Sequence, residues 1–148
     1  MYQEGNILYF TPFYFKNGNA AKPKYLVVLK NIDGKAVLIT LPTRRDNIPE
    51  KDTIDSGCVE LPNIGLNCFV IPPNQEITEN GKMLDFPTHI YGHQLDTYEV
   101  SYLENIYQIE GCDYEIFGKL KPKMFKDLLE CLKTSKSVKN KYLRILNN

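Results

Sequence analysis

The sequence has no tryptophan, only two histidines and no surplus of charge of either sign, with 18 Lys+Arg against 18 Asp+Glu over 148 residues. It contains no apolar run approaching the roughly 18 residues of a membrane-crossing helix, and its start, Met-Tyr-Gln-Glu-Gly, puts no basic leader before an apolar stretch. A cytoplasmic protein with no membrane partner is therefore expected. The four cysteines, Cys58, Cys68, Cys112 and Cys131, have nine, 43 and 18 residues between them, so neither a C-x-x-C pair nor a zinc-ligand spacing exists. They are expected to be small buried thiols in a reducing compartment. Also absent are the G-x-x-x-x-G-K-[ST] phosphate loop, the G-x-G-x-x-G turn, the G-x-S-x-G elbow and the H-E-x-x-H helix, which leaves P-loop NTPases, dinucleotide enzymes, serine hydrolases and zincins without footing. Neither a metal nor a cofactor is expected.

What the chain does have is a strong hairpin signal. Two aliphatic and β-branched runs, Tyr25 to Leu29 and Ala36 to Leu41, flank Asn31-Ile32-Asp33-Gly34, the composition of a short antiparallel connection. Both runs are almost continuously apolar, which predicts a hairpin in the middle of a β-structure with little of either face in water. Before it, Ile7 to Phe10 and Phe13 to Phe15 read as one strand interrupted by Pro12 at a bulge or edge. After it comes a polar surface loop beginning Arg44-Arg45-Asp46-Asn47, then short strands at Cys58 to Leu61, Cys68 to Ile71, Thr88 to Tyr91, Tyr98 to Leu103 and Tyr114 to Phe117. Ten Tyr and seven Phe lean the same way, since aromatic residues suit a pleated, half-buried surface. Many short strands separated by turn residues predict a small barrel or strongly curved sheet.

The end of the chain changes period. Phe125, Leu128, Leu129 and Leu132 fall at helical spacing behind Pro122, and Val138, Tyr142, Ile145 and Leu146 give a second stripe. The fold class expected is mainly β with C-terminal helices: one domain over residues 1–148, with the barrel over 1–118 and the helical segment over 119–148. Charge divides at the same place. Residues 1–118 hold nine Lys+Arg and 16 Asp+Glu, and residues 119–148 hold nine and two, so the parts carry −7 and +7. A solvated helix face explains such a run; self-association or an anionic partner is the sharper alternative.

The order of parts resembles the MazF/PemK family of toxin endoribonucleases. The matching pieces are Gly5-Asn6-Ile7-Leu8-Tyr9-Phe10, then Lys22-Pro23-Lys24-Tyr25-Leu26-Val27-Val28-Leu29, then Leu41-Pro42-Thr43, and finally Ile116-Phe117-Gly118-Lys119-Leu120 with the helix behind it. The resemblance implies an SH3-like barrel, a homodimer, an antitoxin partner and cleavage of single-stranded RNA without a metal. It implies attack by the 2′-hydroxyl on the adjacent phosphate, leaving a cyclic phosphate. The family's charge-stabilising Arg falls on Lys22 and its assisting Thr on Thr43. Lys24, Arg44 and Arg45 are the residues beside them that would hold the RNA backbone. Lys22 is a departure, because a flexible point charge does not reproduce the planar two-point fork of Arg. The family's acidic residue has no clear match; Asp96 is the nearest.

The ordinary readings stand beside these. Lys22 and Lys24 also suit a solvated strand entrance, and Thr43 suits a strand end or turn. His89 and His93 titrate near neutrality and suit acid–base chemistry, yet they lie outside any helical pattern and lack a third metal ligand. Tyr9, Phe10, Phe13, Tyr14 and Phe15 suit base stacking or simple alternation between core and surface. The alternative function is an SH3-like module that binds protein or nucleic acid without catalysis.

Overall fold

The computed structural model describes residues 1–42, 48, 52 and 54–148. Among these the chain runs through β1 (Asn6–Phe13), β2 (Lys22–Ile32), β3 (Lys35–Thr40), β4 (Gly57–Leu61), β5 (Leu66–Ile71), β6 (Thr88–Tyr91), β7 (Leu95–Glu99), α1 (Val100–Ile106), β8 (Tyr114–Lys119), α2 (Pro122–Lys133) and α3 (Asn140–Leu146). The strands make two antiparallel sheets, β7-β3-β2-β1-β8 and β4-β5-β6. The fold is thus mainly β with C-terminal helices.

The central hairpin forms as the composition predicts. β2 and β3 stay paired up to Ile32 and Lys35, so Asp33 and Gly34 alone make the turn. Both have positive φ, 53° and 76°. That is the requirement of a type I′ turn, whose twist matches the strands it joins. The ladder skips from Val28 to Lys30 at a bulge, and Leu26, Val27, Val28 and Leu29 are all buried. The hairpin therefore occupies the middle of the large sheet with both faces covered. Pro12 also acts as expected, since the pairing of β1 with β2 jumps from Phe10–Lys24 to Phe13–Lys22 across it.

Three layers result. One face of the large sheet, through Ile7, Val27, Leu29, Val37 and Ile39, packs on Phe69, Ile71 and Ile90 of the small sheet and on Leu128 and Leu132 of α2. The opposite face, through Leu8, Phe10, Phe13, Leu26, Val28 and Leu38, is closed by Leu103 of α1 and by Tyr107. The outer face of the small sheet has its own cluster of Val59, Cys68, Val70 and Tyr91, joined by Ile48.

Three expectations are corrected. The two sheets do not close into a barrel; between them, among the described residues, a backbone bond from His89 N–H to Pro42 O (2.9 Å) takes the place of a continuous ladder. The expected strand Tyr98–Leu103 is instead the end of β7 followed by α1. There Val100 and Leu103, three residues apart, bring one helical face onto the sheet, and Val100 N–H is bonded to Gly34 O (2.9 Å). The cysteines are not four buried thiols: Cys58 and Cys131 form a disulfide, Cys68 is a buried thiol and Cys112 is exposed. Sequence spacing hid the pair because 73 residues separate its members, and only the packing of α2 against β4 brings their Cα atoms to 5.6 Å.

The basic residues of the C-terminal segment stand mostly on its exposed side, as a solvated face does. Among the described residues, no helix is long and apolar enough to cross a membrane.

Candidate functional site

The sequence directs attention to one end of the large sheet, and antiparallel pairing gathers several strand termini there. β1 ends, β2 begins, β3 ends, and β7 and β8 begin at this end. Lys22 and Lys24 lie on the first residues of β2, opposite Phe13 and Phe10. Being two apart on a strand, they share a face, that of the aromatic cluster under α1. Lys22 is exposed, with its ammonium 5.9 Å over the Phe15 ring, and Lys24 is half-buried. Thr43, Arg44 and Arg45 lie outside the described residues. Of the five expected site residues, Lys22 and Lys24 are thus brought together.

The described residues at the end of β3 are firmly seated. Leu41 N–H is bonded to Tyr25 O (2.9 Å), and Pro42 accepts from His89 N–H. Thr40 Oγ1 is bonded to Gln94 Oε1. The end of β3 is therefore fixed between β2 and the segment that carries both histidines. His89 is buried on β6 and His93 is exposed in the turn behind it. Their rings flank Tyr91 at 6.4 Å and 5.6 Å: His89 shares its strand face, and the turn that follows β6 brings His93 to it. Tyr91 thus stands between two histidines that differ in access, one buried on the strand and one exposed in the turn.

Two neighbouring features were not legible in the sequence. On the face opposite Lys24, Tyr9 and Tyr25 pair across β1 and β2 with ring centroids 4.4 Å apart, and Phe117 stands edge-on to Tyr25 at 5.3 Å. The Lys82 ammonium lies 5.9 Å over Phe117. Burial raises the Tyr25 phenol above its ordinary range, with Tyr9, Asp85 and Glu115 adding to it. The three rings come from distant segments, so only the register reveals them. The second feature is Lys16, whose ammonium sits 4.1 Å over Tyr98 and 3.3 Å from Asp96, which Tyr142 also approaches at 3.5 Å. Asp96, the nearest acidic candidate, is thereby committed to an ion pair.

Chemically, this end of the sheet offers cationic point charges for phosphate and half-buried ring faces for unpaired bases. Among the described residues, no group of three or more His, Cys, Asp or Glu gathers as metal ligands would. The chain matches no protein-family model, no curated protein and no solved structure.

Proposed function

We propose that the chain is a MazF/PemK-like toxin endoribonuclease that cleaves single-stranded RNA through the 2′-hydroxyl, without a metal, as a cytoplasmic homodimer restrained by an antitoxin. In this reading the two sheets are an opened variant of the SH3-like arrangement. Lys22 stabilises the charge that develops on the phosphorus centre, and Thr43 orients the scissile phosphate. Lys24, Arg44 and Arg45 hold the neighbouring phosphates.

The observation that supports it most is the shared end of β2 and β3. Leu41 N–H bonded to Tyr25 O keeps the strand leading to Thr43 beside the strand that starts at Lys22, with the Tyr9–Tyr25–Phe117 rings at the same end. Cationic side chains on one face of this strand end and a stacking platform on the other suit the binding of an unpaired RNA, and the reading adds the Thr43 hydroxyl from the family pattern. The disulfide weighs against the cytoplasmic part of the reading, since such bonds persist in oxidising compartments.

A second reading rests on Lys22 itself. Its ammonium over Phe15 gives one flexible charge where the family pattern has a two-point fork. That favours a binding module that keeps the face and lacks the chemistry.

The test is incubation of the purified chain with mixed-sequence single-stranded RNA in excess chelator, with products resolved by length and end group. Discrete cuts ending in cyclic phosphate are expected, reduced at least about 100-fold in Lys22→Ala with Thr43→Ala. A fully active double variant would overturn the site assignment. No cutting by folded wild-type chain, with salt-sensitive RNA binding retained, would establish the binding module instead.

A further inference from the structure

Away from that end, α2 and strands β4 and β5 enclose a groove of about 670 Å³. Its apolar wall includes Phe69, Val70, Pro72 and Met124, and the Cys58–Cys131 disulfide lines it as well. The two sulfurs differ in access. Cys58 is exposed on β4, an edge strand of the small sheet, whereas Cys131 is 3% exposed on the inner side of α2. The helix end that carries Cys131 is also clamped independently of the disulfide. The Glu60 carboxylate accepts from Ser135 Oγ (2.7 Å), Lys136 N–H (2.8 Å) and Asn67 Nδ2 (3.1 Å), and Asn67 Nδ2 reaches Cys131 O as well (3.1 Å). Opening the disulfide therefore leaves both sulfurs held near each other.

We propose that Cys58–Cys131 is a thiol-exchange site that takes a small thiol through the groove, an activity independent of the ribonuclease reading. A thiolate attacks Cys58 Sγ and the S–S bond breaks. Cys131 leaves with the bonding electron pair and takes a proton from solvent, giving a mixed disulfide on Cys58. A second thiolate attacks the outer sulfur of that mixed disulfide, releasing the small-molecule disulfide and Cys58, which is protonated in turn. Two thiols are oxidised to one disulfide and the protein disulfide is reduced to two thiols. Access selects Cys58 as the sulfur attacked. Asn67 Nδ2 lies 3.5 Å from Cys131 Sγ and turns a polar N–H group, already shared with Glu60 and Cys131 O, towards the departing sulfur. In a reducing compartment the staple between β4 and α2 becomes reversible, and the clamp through Glu60 lets it re-form.

The experiment uses the full chain carrying Cys112→Ser, which removes the exposed free thiol; Cys68 is buried, with its thiol pushed up to about 12. The folded protein is incubated with reduced glutathione without denaturant, quenched with acid, and mapped by mass. Opening of the disulfide with the mixed-disulfide intermediate on Cys58 is expected. In separate Cys131→Ser and Cys58→Ser chains given glutathione disulfide, Cys58 should be modified at least about ten-fold faster than Cys131. Reduction that occurs only in denaturant, or an intermediate found on Cys131, would overturn the proposal. Because the wild-type pair is mapped directly, the test stands even if a single-cysteine chain folds poorly.

Discussion

One face of the five-stranded sheet packs Ile7, Val27, Leu29, Val37 and Ile39 against the small sheet and the C-terminal helices; the other packs Phe10, Phe13 and Leu8 under α1 with Tyr107 and Tyr98. The first face is aliphatic at its centre, with the Tyr9, Tyr25 and Phe117 rings at one end, and its partners come from an insertion between β3 and β7 and from the chain's end. Those partners are further secured by the disulfide and the Glu60 clamp. The second face is closed by the segment that directly follows β7 and is rich in rings. Phe10 lies 4.5 Å from Tyr107 and 5.2 Å from Phe13, centroid to centroid. Burial raises the phenols of Tyr98 and Tyr107 well above their ordinary range. Both faces therefore carry a phenol raised by burial, Tyr25 on the first and Tyr98 and Tyr107 on the second, and the second holds those raised furthest.

Removing the ring at the centre of the aromatic face tests this contrast most severely. Phe10 is fully buried, so Phe10→Ala deletes a side chain whose neighbours cannot collapse into the space. A loss of about 3–5 kcal/mol is expected, read as a lowered denaturant midpoint at unchanged slope. If the faces are separate supports, hydrogen exchange should accelerate first in α1 while the helix clamped by Glu60 stays protected. Acceleration spread evenly over both faces would show that they form one cooperative unit.

The same contrast explains which parts were legible in the sequence. The Asp33-Gly34 turn, the Pro12 interruption, β6 and the apolar stripe of α2 follow from local chemistry, where backbone φ or side-chain period decides the outcome. α1 was misread because Tyr98 to Leu103 carries both strand-forming rings and a short apolar spacing. Its helical choice is fixed by Leu103 seating on the sheet and by the bond to Gly34, which are tertiary contacts. The Cys58–Cys131 pair and the Tyr9–Tyr25–Phe117 rings depend on which distant segments meet, and no spacing within the chain encodes that. Within the candidate site, Lys22 and Lys24 were legible because they belong to the hairpin.

The aliphatic side can be weakened without touching its hydrocarbon. Gly92 lies where a Cβ would stand 2.7 Å from Asn67 Oδ1 and 2.9 Å from Val138 Cγ2, so Gly92→Ala drives a methyl group into the clamp that seats the C-terminal segment. A loss of about 1–3 kcal/mol is expected from this overpacking. Hydrogen exchange should now accelerate around Ser135 to Val138, with α1 unchanged, the reverse of the Phe10→Ala pattern. An unchanged melting temperature would mean that the segment shifts away at no cost, and that the clamp is looser than its bonds imply.

The smallest expected effect is also the most selective. Tyr107 Oη accepts a hydrogen bond from Tyr14 N–H (2.9 Å), and burial pushes its phenol up to about 12, more than that donor brings it down. Below pH 10, the ordinary phenol value, folded and unfolded chains both keep the proton, so this group makes no pH-dependent contribution there. Between pH 10 and about 12 the unfolded chain releases the proton while the folded chain holds it, so stability falls as pH rises through that window. Tyr107→Phe loses the bond to Tyr14 N–H, a cost of about 1 kcal/mol at neutral pH. The same variant removes one of the titrating groups, so its stability should decline less steeply above pH 10 than that of the wild type. Denaturant midpoints measured at pH 8, 10 and 11 would show the two curves converging. Parallel curves would mean that the Tyr107 phenol ionises alike in folded and unfolded chains, removing it from the alkaline weakness of the aromatic face.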